Sequence, residues 1–159
     1  MLKQQFIKKR SKLQKMLCNF IFSSFLVIFF VFKANSHEEL LNSLVIYHPY
    51  LIKENKTEAF GFLSIENTGT ENEYLINILP HFASEYKLLK QDLKENDFFK
   101  IDLQSGLKIP PKEAIYIDQD SYKLLFLNLD KNLDWFDTHS ATFVFQYSGE
   151  IELDFEVEQ

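Results

Sequence analysis

Sulfur-containing side chains are nearly absent from this chain of 159 residues, and all of them lie close to its start. Met1 and Met16 are the only methionines and Cys18 is the only cysteine, so no later residue can join a disulfide or offer sulfur to a metal. Only four glycines occur, and the chain has no phosphate-binding loop, nucleophile elbow, His-Glu-x-x-His helix or paired-cysteine zinc motif. We therefore predict that the protein is not an enzyme.

Acidic residues are missing from the first 36 positions. Six lysine and arginine residues within the first 15 positions precede an apolar run from Met16 to Phe32, and the small residues Ala34 and Ser36 follow it. This order is typical of a secretory signal peptide. We predict cleavage after Ser36. A retained membrane anchor is the weaker alternative, because 17 residues are at the lower limit for crossing a bilayer.

The predicted mature domain, residues 37–159, has a very different composition from the leader. The leader holds seven of the 17 basic residues and none of the 23 acidic ones, which leaves 10 basic and 23 acidic residues, a formal net charge of −13. Such a charge disfavours binding to nucleic acid or to anionic membranes. We expect a single periplasmic or secreted domain that touches a membrane only if the leader stays uncleaved. Cys18 is interpreted as an ordinary apolar residue of the leader.

From Leu44 onwards, short segments rich in β-branched and aromatic residues alternate with turn residues, which predicts β-strands. His37–Ser43 is predicted to form a helical turn, and Gln91–Asp97 a loop or short helix. Pro110-Pro111 excludes regular strand pairing at that point. The predicted strands, nine as an upper count, are Leu44–Ile52, Ala59–Glu66, Glu73–Leu79, Glu85–Leu89, Phe98–Leu103, Ala114–Asp118, Tyr122–Leu129, Thr142–Tyr147 and Glu150–Glu158.

The closing hairpin gives the clearest pattern. Phe143, Phe145 and Tyr147 alternate before a turn at Ser148-Gly149, and apolar residues alternate with acids from Glu150 to Glu158. One face of this hairpin should be buried and the other should face solvent. Many short strands joined by hairpin turns predict an all-β sandwich or Greek-key barrel.

Six segments follow one another along the predicted mature domain: Val45–Tyr50, which ends in His-Pro-Tyr, Phe60–Gly69, Tyr74–Ile76, Leu107–Glu113, Tyr122–Leu129 and Phe143–Val157. In this order they resemble the periplasmic copper chaperone family PCu(A)C, in which the first segment ends in His-Pro-Trp. The resemblance implies a cupredoxin-like Greek-key β-sandwich and a role in copper trafficking or cytochrome oxidase assembly. It implies a cytochrome oxidase subunit or another copper carrier as partner.

The family binds Cu(I) through two histidines and two methionines, and the resemblance assigns each ligand to a position in this chain. The closing His-x-Met pair falls on Lys123 and Leu125, the earlier methionine on Ile101, and the first histidine on Lys87 or Lys90. Neither lysine nor an aliphatic residue offers the soft donors that Cu(I) prefers. We therefore expect the usual Cu(I) site to be absent and copper to be doubtful as a cofactor.

Two alternatives remain open for function. Cleavage after Ser36 would give His37 a free α-amine beside its imidazole, a pair that can chelate Cu(II), and His48 or an acid such as Glu38 could complete the metal site. Otherwise the domain is a metal-free interaction or assembly module. An exposed aromatic patch would serve that role, although Trp135 is expected to cap the core instead. The aromatic candidates are Tyr47, Tyr50, Phe98, Phe99, Trp135 and Phe136.

Overall fold

A computed structural model describes residues 38–92 and 97–159. The fold is all-β, as predicted, and in these two ranges the helical structure is limited to a 3-10 turn at Leu103–Ser105. The eleven strands are β1 (Glu38–Leu41), β2 (Leu44–Lys53), β3 (Glu58–Asn67), β4 (Glu73–Pro80), β5 (Ala83–Asp92), β6 (Asp97–Lys100), β7 (Leu107–Ile109), β8 (Ala114–Ile117), β9 (Tyr122–Leu129), β10 (Thr138–Phe145) and β11 (Gly149–Glu158).

The strands form one sheet that curls back on itself. The order of hydrogen-bonded strands is β6-β5-β9-β8-β3-β2-β11-β10-β4-β7, and β1 pairs with β2 beside this series. The pairings of β11 with β2 and of β8 with β9 are parallel, and the other pairings between the described strands are antiparallel. Curling brings the β9 residue Phe126 against Phe155 of β11, with ring centroids 6.0 Å apart. Phe82 packs edge-on against Phe126 at 4.8 Å. The two halves of the sheet thus enclose one core, as in a sandwich.

Side chains along the strands are alternately buried and exposed, and the buried ones form this core. On β9, Leu124 and Phe126 are buried and their neighbours are more exposed, and the same alternation runs along the closing hairpin. The predicted buried and solvent-facing sides of that hairpin are confirmed. Tyr147 departs from the prediction, because it lies in the turn between β10 and β11 and is 69% exposed.

Two local predictions are wrong, and a third is wrong at its two ends. The segment predicted as a helical turn, His37–Ser43, instead contributes β1, which pairs with β2, although His37 itself lies outside the described residues. Within Gln91–Asp97, Gln91 and Asp92 are the last residues of β5 and Asp97 is the first residue of β6. Residues 93–96 lie outside the described residues. With β1 and β7 added, the upper count of nine strands is exceeded.

Asn67 joins the turn after β3 to the end of β7. Its buried side-chain amide donates to the backbone carbonyls of Glu71 and Ile109, at 2.7 and 3.0 Å, and its carbonyl accepts the N–H of Gly69. The Asn-Thr-Gly turn after β3 therefore holds the end of β7 in place. Pro110 follows β7 directly, so the predicted end of strand pairing at the two prolines is confirmed.

Across the described ranges, no helix has the length and apolar character needed to cross a membrane. The predicted leader lies outside them.

Candidate functional site

The positions that the resemblance matches to copper ligands lie on β5, β9 and the chain just after β6. Lys87 is directly opposite Leu125, and Leu89 is opposite Lys123. Because side chains two apart on a strand share a face, Lys87, Lys123 and Leu125 all project from one face of the sheet. Leu124, between the last two, is buried on the other face.

Ile101 lies on the opposite side of the sheet from Lys123 and Leu125. Its N–H donates to the carbonyl of Leu88 at 2.8 Å, and its side chain packs against the core. Lys90 is opposite Tyr122, so it also projects from a different face than Lys123. The four positions are therefore divided between the two faces, whichever lysine is matched to the first histidine.

Lysine side chains at this end of the sheet rest on aromatic rings. The Lys123 ammonium lies 3.7 Å from the centroid of the Phe98 ring, and the Lys90 ammonium lies 5.5 Å from the Tyr122 ring. Both contacts are cation–π contacts, and an ammonium group has no lone pair to offer a metal. Throughout 38–92 and 97–159, no group of three histidine, cysteine, aspartate or glutamate side chains is placed to hold a metal ion.

His48 lies at an irregularity in β2. The pairing of β2 with β3 shifts register between Tyr47 and Tyr50, and His48 has a left-handed backbone with φ +49°. Pro49, which follows, has no N–H to offer a neighbouring strand. The His48 ring is 64% exposed, and its Nε2 lies 3.3 Å from Oε1 of Glu158. The predicted partner His37 lies outside the described residues.

Glu158 is a member of this arrangement that sequence reasoning missed. Alternation along β11 correctly places the acids of that strand on the solvent-facing side, and Glu150, Glu152 and Asp154 are exposed. The position of Glu158 near His48, however, depends on the parallel pairing of β11 with β2, in which Glu158 is opposite Ile52. No local pattern indicates which distant strand will pair in parallel.

The other two histidines in the described part of the chain, His81 and His139, lie in different environments. His81 is exposed, and its ring nitrogens contact the hydroxyls of Ser140 and Thr142. His139 is half-buried beside Phe82, and its covered Nε2 has no hydrogen-bond partner among the described residues. Burial lowers the pKa of His139, which keeps the ring neutral near pH 7.

Trp135 does not cap the core, contrary to prediction. It is 55% exposed and stacks on Phe136, which is 63% exposed, with ring centroids 4.1 Å apart. The buried residue of this loop is Leu133. An exposed aromatic pair is therefore present.

The other aromatic candidates are partly engaged within the domain. The hydroxyl of Tyr47 donates to Glu66 at 3.0 Å, and this hydrogen bond raises the pKa of Tyr47. Tyr50 stacks on Phe62 at 4.7 Å, and Phe98 lies under the Lys123 ammonium. In this group, Phe99 is 48% exposed.

The sequence profile of the LpqE-like family matches residues 44–157, which is most of the chain. The chain belongs to the LpqE-like family. The matched region begins at β2 and ends within β11, so it includes every strand of the LpqE-like domain except β1. No curated protein sequence matches the chain.

Solved structures with a similar fold are PCuAC domains. The copper-bound PCuAC domain from PmoF2 is 20% identical, with a TM-score of 0.63 over 77% of this chain and 97% of that one. The apo PCuAC domain from PmoF1 has a TM-score of 0.65 at 20% identity, over 77% and 98% of the two chains. Apo-DR1885 from Deinococcus radiodurans has a TM-score of 0.58 at 12% identity, over 80% and 86%. The PCu(A)C resemblance and its cupredoxin-like fold are thereby confirmed.

Proposed function

We propose that this LpqE-like protein is exported and acts in extracytoplasmic copper trafficking, for example in assembling the copper site of a cytochrome oxidase, without using the Cu(I) centre of its fold relatives. Family membership and the PCuAC fold support the link to copper. Export is supported by the leader pattern in residues 1–36.

The link to copper rests on the family and the fold, and the chemistry at the matched ligand positions supports the part of the proposal in which the Cu(I) centre is not used. Lys87, Ile101, Lys123 and Leu125 offer two ammonium groups and two aliphatic side chains, and residues 37–159 contain no methionine or cysteine to substitute for them. Cu(I) prefers thioether, thiolate and imidazole donors. Leucine and isoleucine have roughly the volume of methionine, so they can fill the same space between the strands. They have no sulfur atom to bind a metal.

A second candidate function is a metal-free module that docks onto a protein during assembly. The exposed pair Trp135 and Phe136 favours it, because stacked aromatic side chains that are more than half exposed are typical anchors of protein interfaces. In this case the partner protein would bind copper and this domain would not.

Deleting the gene in the cell that makes the protein distinguishes these roles. We expect less copper in the exported copper enzymes of that cell, restored by the wild-type chain. A Trp135→Ala, Phe136→Ala double variant that fails to restore copper, although it is exported and folded, would favour the docking role. Unchanged copper content in the deletion strain would contradict the proposal.

A further inference from the structure

We propose that the tight turn Asp134–Asp137 binds a basic segment of a partner protein, with an arginine or lysine side chain of that partner over the Trp135 ring. The inference rests on the docking role given above as the second candidate function, and it names the chemistry of the partner. The partner's cation meets the face of the indole, and the carboxylates at the two ends of the turn attract it.

Trp135 and Phe136 are the two central residues of this turn. The N–H of Asp137 donates to the carbonyl of Asp134 at 3.0 Å, which closes the turn. Phe136 has a left-handed backbone, with φ +66°. Glycine and asparagine are the usual residues where the third position of a turn has a positive φ. An exposed phenylalanine here contributes neither to the core nor to the turn, so an external contact explains it better.

The backbone of the turn is fixed to β11. The N–H of Phe136 donates to the carbonyl of Val157 at 3.1 Å, and the N–H of Val157 donates to the carbonyl of Asp137 at 2.9 Å. Leu133, just before the turn, is buried in the core. These contacts hold the aromatic pair in place before a partner arrives, which lowers the entropy cost of docking.

The face of the Trp135 ring is open to a cation from outside the domain. Among the described residues, the lysines that rest on aromatic rings are Lys90 and Lys123, and both rest on other rings. Trp135 stacks on Phe136 at 4.1 Å and remains 55% exposed. Tryptophan is the aromatic residue that best binds an ammonium or guanidinium group over its face. The exposed indole therefore suits an arginine or lysine of a partner.

Carboxylates outnumber basic groups around this turn. Asp134 and Asp137 flank the aromatic pair, Asp130 lies a few residues earlier, and Glu156 is opposite the first residue of β10. Lys131 is the basic residue of this loop. No lysine in the described part of the chain forms an ion pair with these four carboxylates. The turn therefore attracts a basic partner and repels nucleic acid, anionic membranes and a second copy of this acidic chain.

Trp135 is the only tryptophan of the chain, so tryptophan fluorescence reports on this turn. The test uses the purified full-length protein and a synthetic peptide of alternating arginine and glycine. Anisotropy of a fluorescein-labelled peptide measures its affinity, and the unlabelled peptide should change the Trp135 emission. We expect binding that weakens as salt is added. The same peptide with citrulline in place of arginine keeps the shape without the charge, and it should not bind measurably.

Removing the aromatic pair tests the contact with the rings. A Trp135→Ala, Phe136→Ala double variant should bind the arginine peptide about tenfold more weakly than the wild type. The matched control is Tyr147→Ala, because Tyr147 is 69% exposed and lies in the turn at the other end of β10. This control should change the affinity by less than about twofold.

Removing the carboxylates tests the charge. An Asp134→Asn, Asp137→Asn double variant should bind the peptide about threefold more weakly and with less dependence on salt. Its control neutralises two exposed acids near the other end of the closing hairpin, Glu150→Gln and Glu152→Gln. Because these acids are distant from the turn in the hairpin register, the control should bind nearly as the wild type does.

Three results would overturn this inference. They are no binding of the arginine peptide, equal binding by the wild type and a folded Trp135→Ala, Phe136→Ala variant, or a Trp135 emission change with phosphatidylcholine vesicles but not with the peptide. The last result would assign the turn to a membrane surface. Peptide binding at the turn with unchanged copper in the deletion strain would contradict the proposed function alone. Absent peptide binding, with a double variant that fails to restore copper, would contradict the basic partner alone.

Discussion

The carboxylate of Glu73 accepts the backbone N–H of Ser148 at 2.8 Å, which ties the start of β4 to the turn between β10 and β11. Its other oxygen accepts N–H groups from Tyr74 and Tyr147 at 2.9 and 3.0 Å. Glu73 is buried, at 4% exposed. Burial alone would raise the pKa of Glu73, but a hydrogen bond with the Ser148 side chain and these backbone hydrogen bonds outweigh it and hold the pKa below its usual value.

Replacing Glu73 with glutamine should destabilise the domain by about 1–3 kcal/mol at pH 7, because the hydrogen bonds lose their charge assistance. The folded-state pKa of Glu73 is lowered, so its contribution is present above the unfolded-state pKa of about 4.3 and is lost as pH falls through the folded-state value. Urea unfolding at pH 7 and at pH 3.5 measures this difference.

The matched control for this change is Glu71→Gln, two residues away and exposed. It should leave the free energy of unfolding nearly unchanged. Equal stabilities of Glu73→Gln and the wild type at pH 7 would contradict a structural role for the carboxylate.

His139 should make the domain less stable in mild acid. Its folded-state pKa is lowered chiefly by burial, so the unfolded chain takes up a proton first as pH falls below about 6.5. The nearby Asp137, Asp130 and Asp134 oppose this shift, and Lys131 adds to it. Urea unfolding at pH 7.5 and 5.5 should show a loss of stability in the wild type. That loss should be smaller in His139→Phe. An identical loss in His139→Phe would refute this explanation.

Gly61 is required by the packing of β3 against β9. A Cβ atom at position 61 would lie 2.7 Å from Cε2 of Phe126 and 3.2 Å from Cδ2 of Leu124. Both neighbours are fully buried. Gly61→Ala should therefore cost about 1–3 kcal/mol of unfolding free energy. In the Gly61→Ala, Phe126→Leu double variant the smaller ring should relieve part of the clash, so the combined cost should be less than the sum of the single costs. Strict additivity would exclude the contact as the cause.

Local patterning was sufficient to predict most of the strands but not all. Tyr122–Leu129 is rich in apolar residues and is preceded by turn residues, and its predicted bounds match those of β9. β1 has the sequence Glu-Glu-Leu-Leu, which favours a helix locally, and pairing with β2 overrides that preference. β7 spans three residues, too few to show a period.

The candidate site was harder to predict, because it depends on long-range pairing. Sequence spacing can match Ile101 and Lys123 to two ligands of one site, yet the register places them on opposite faces of the sheet. Similarly, Glu158 reaches His48 only because β11 joins β2 in parallel. Glu73 shows the same limit, since it is buried against the N–H groups of Tyr147 and Ser148, which are distant from it in the sequence.

The central proposal is that this protein keeps a PCuAC fold but lacks the Cu(I) donors that the PCu(A)C resemblance implies. Titration of the exported protein with Cu(I), in competition with a chromophoric Cu(I) chelator, tests it most directly. We predict that the chelator keeps all of the Cu(I), because Lys123, Leu125 and Ile101 offer no soft donor. Withdrawal of one equivalent of Cu(I) from the chelator by the wild-type protein would contradict the account.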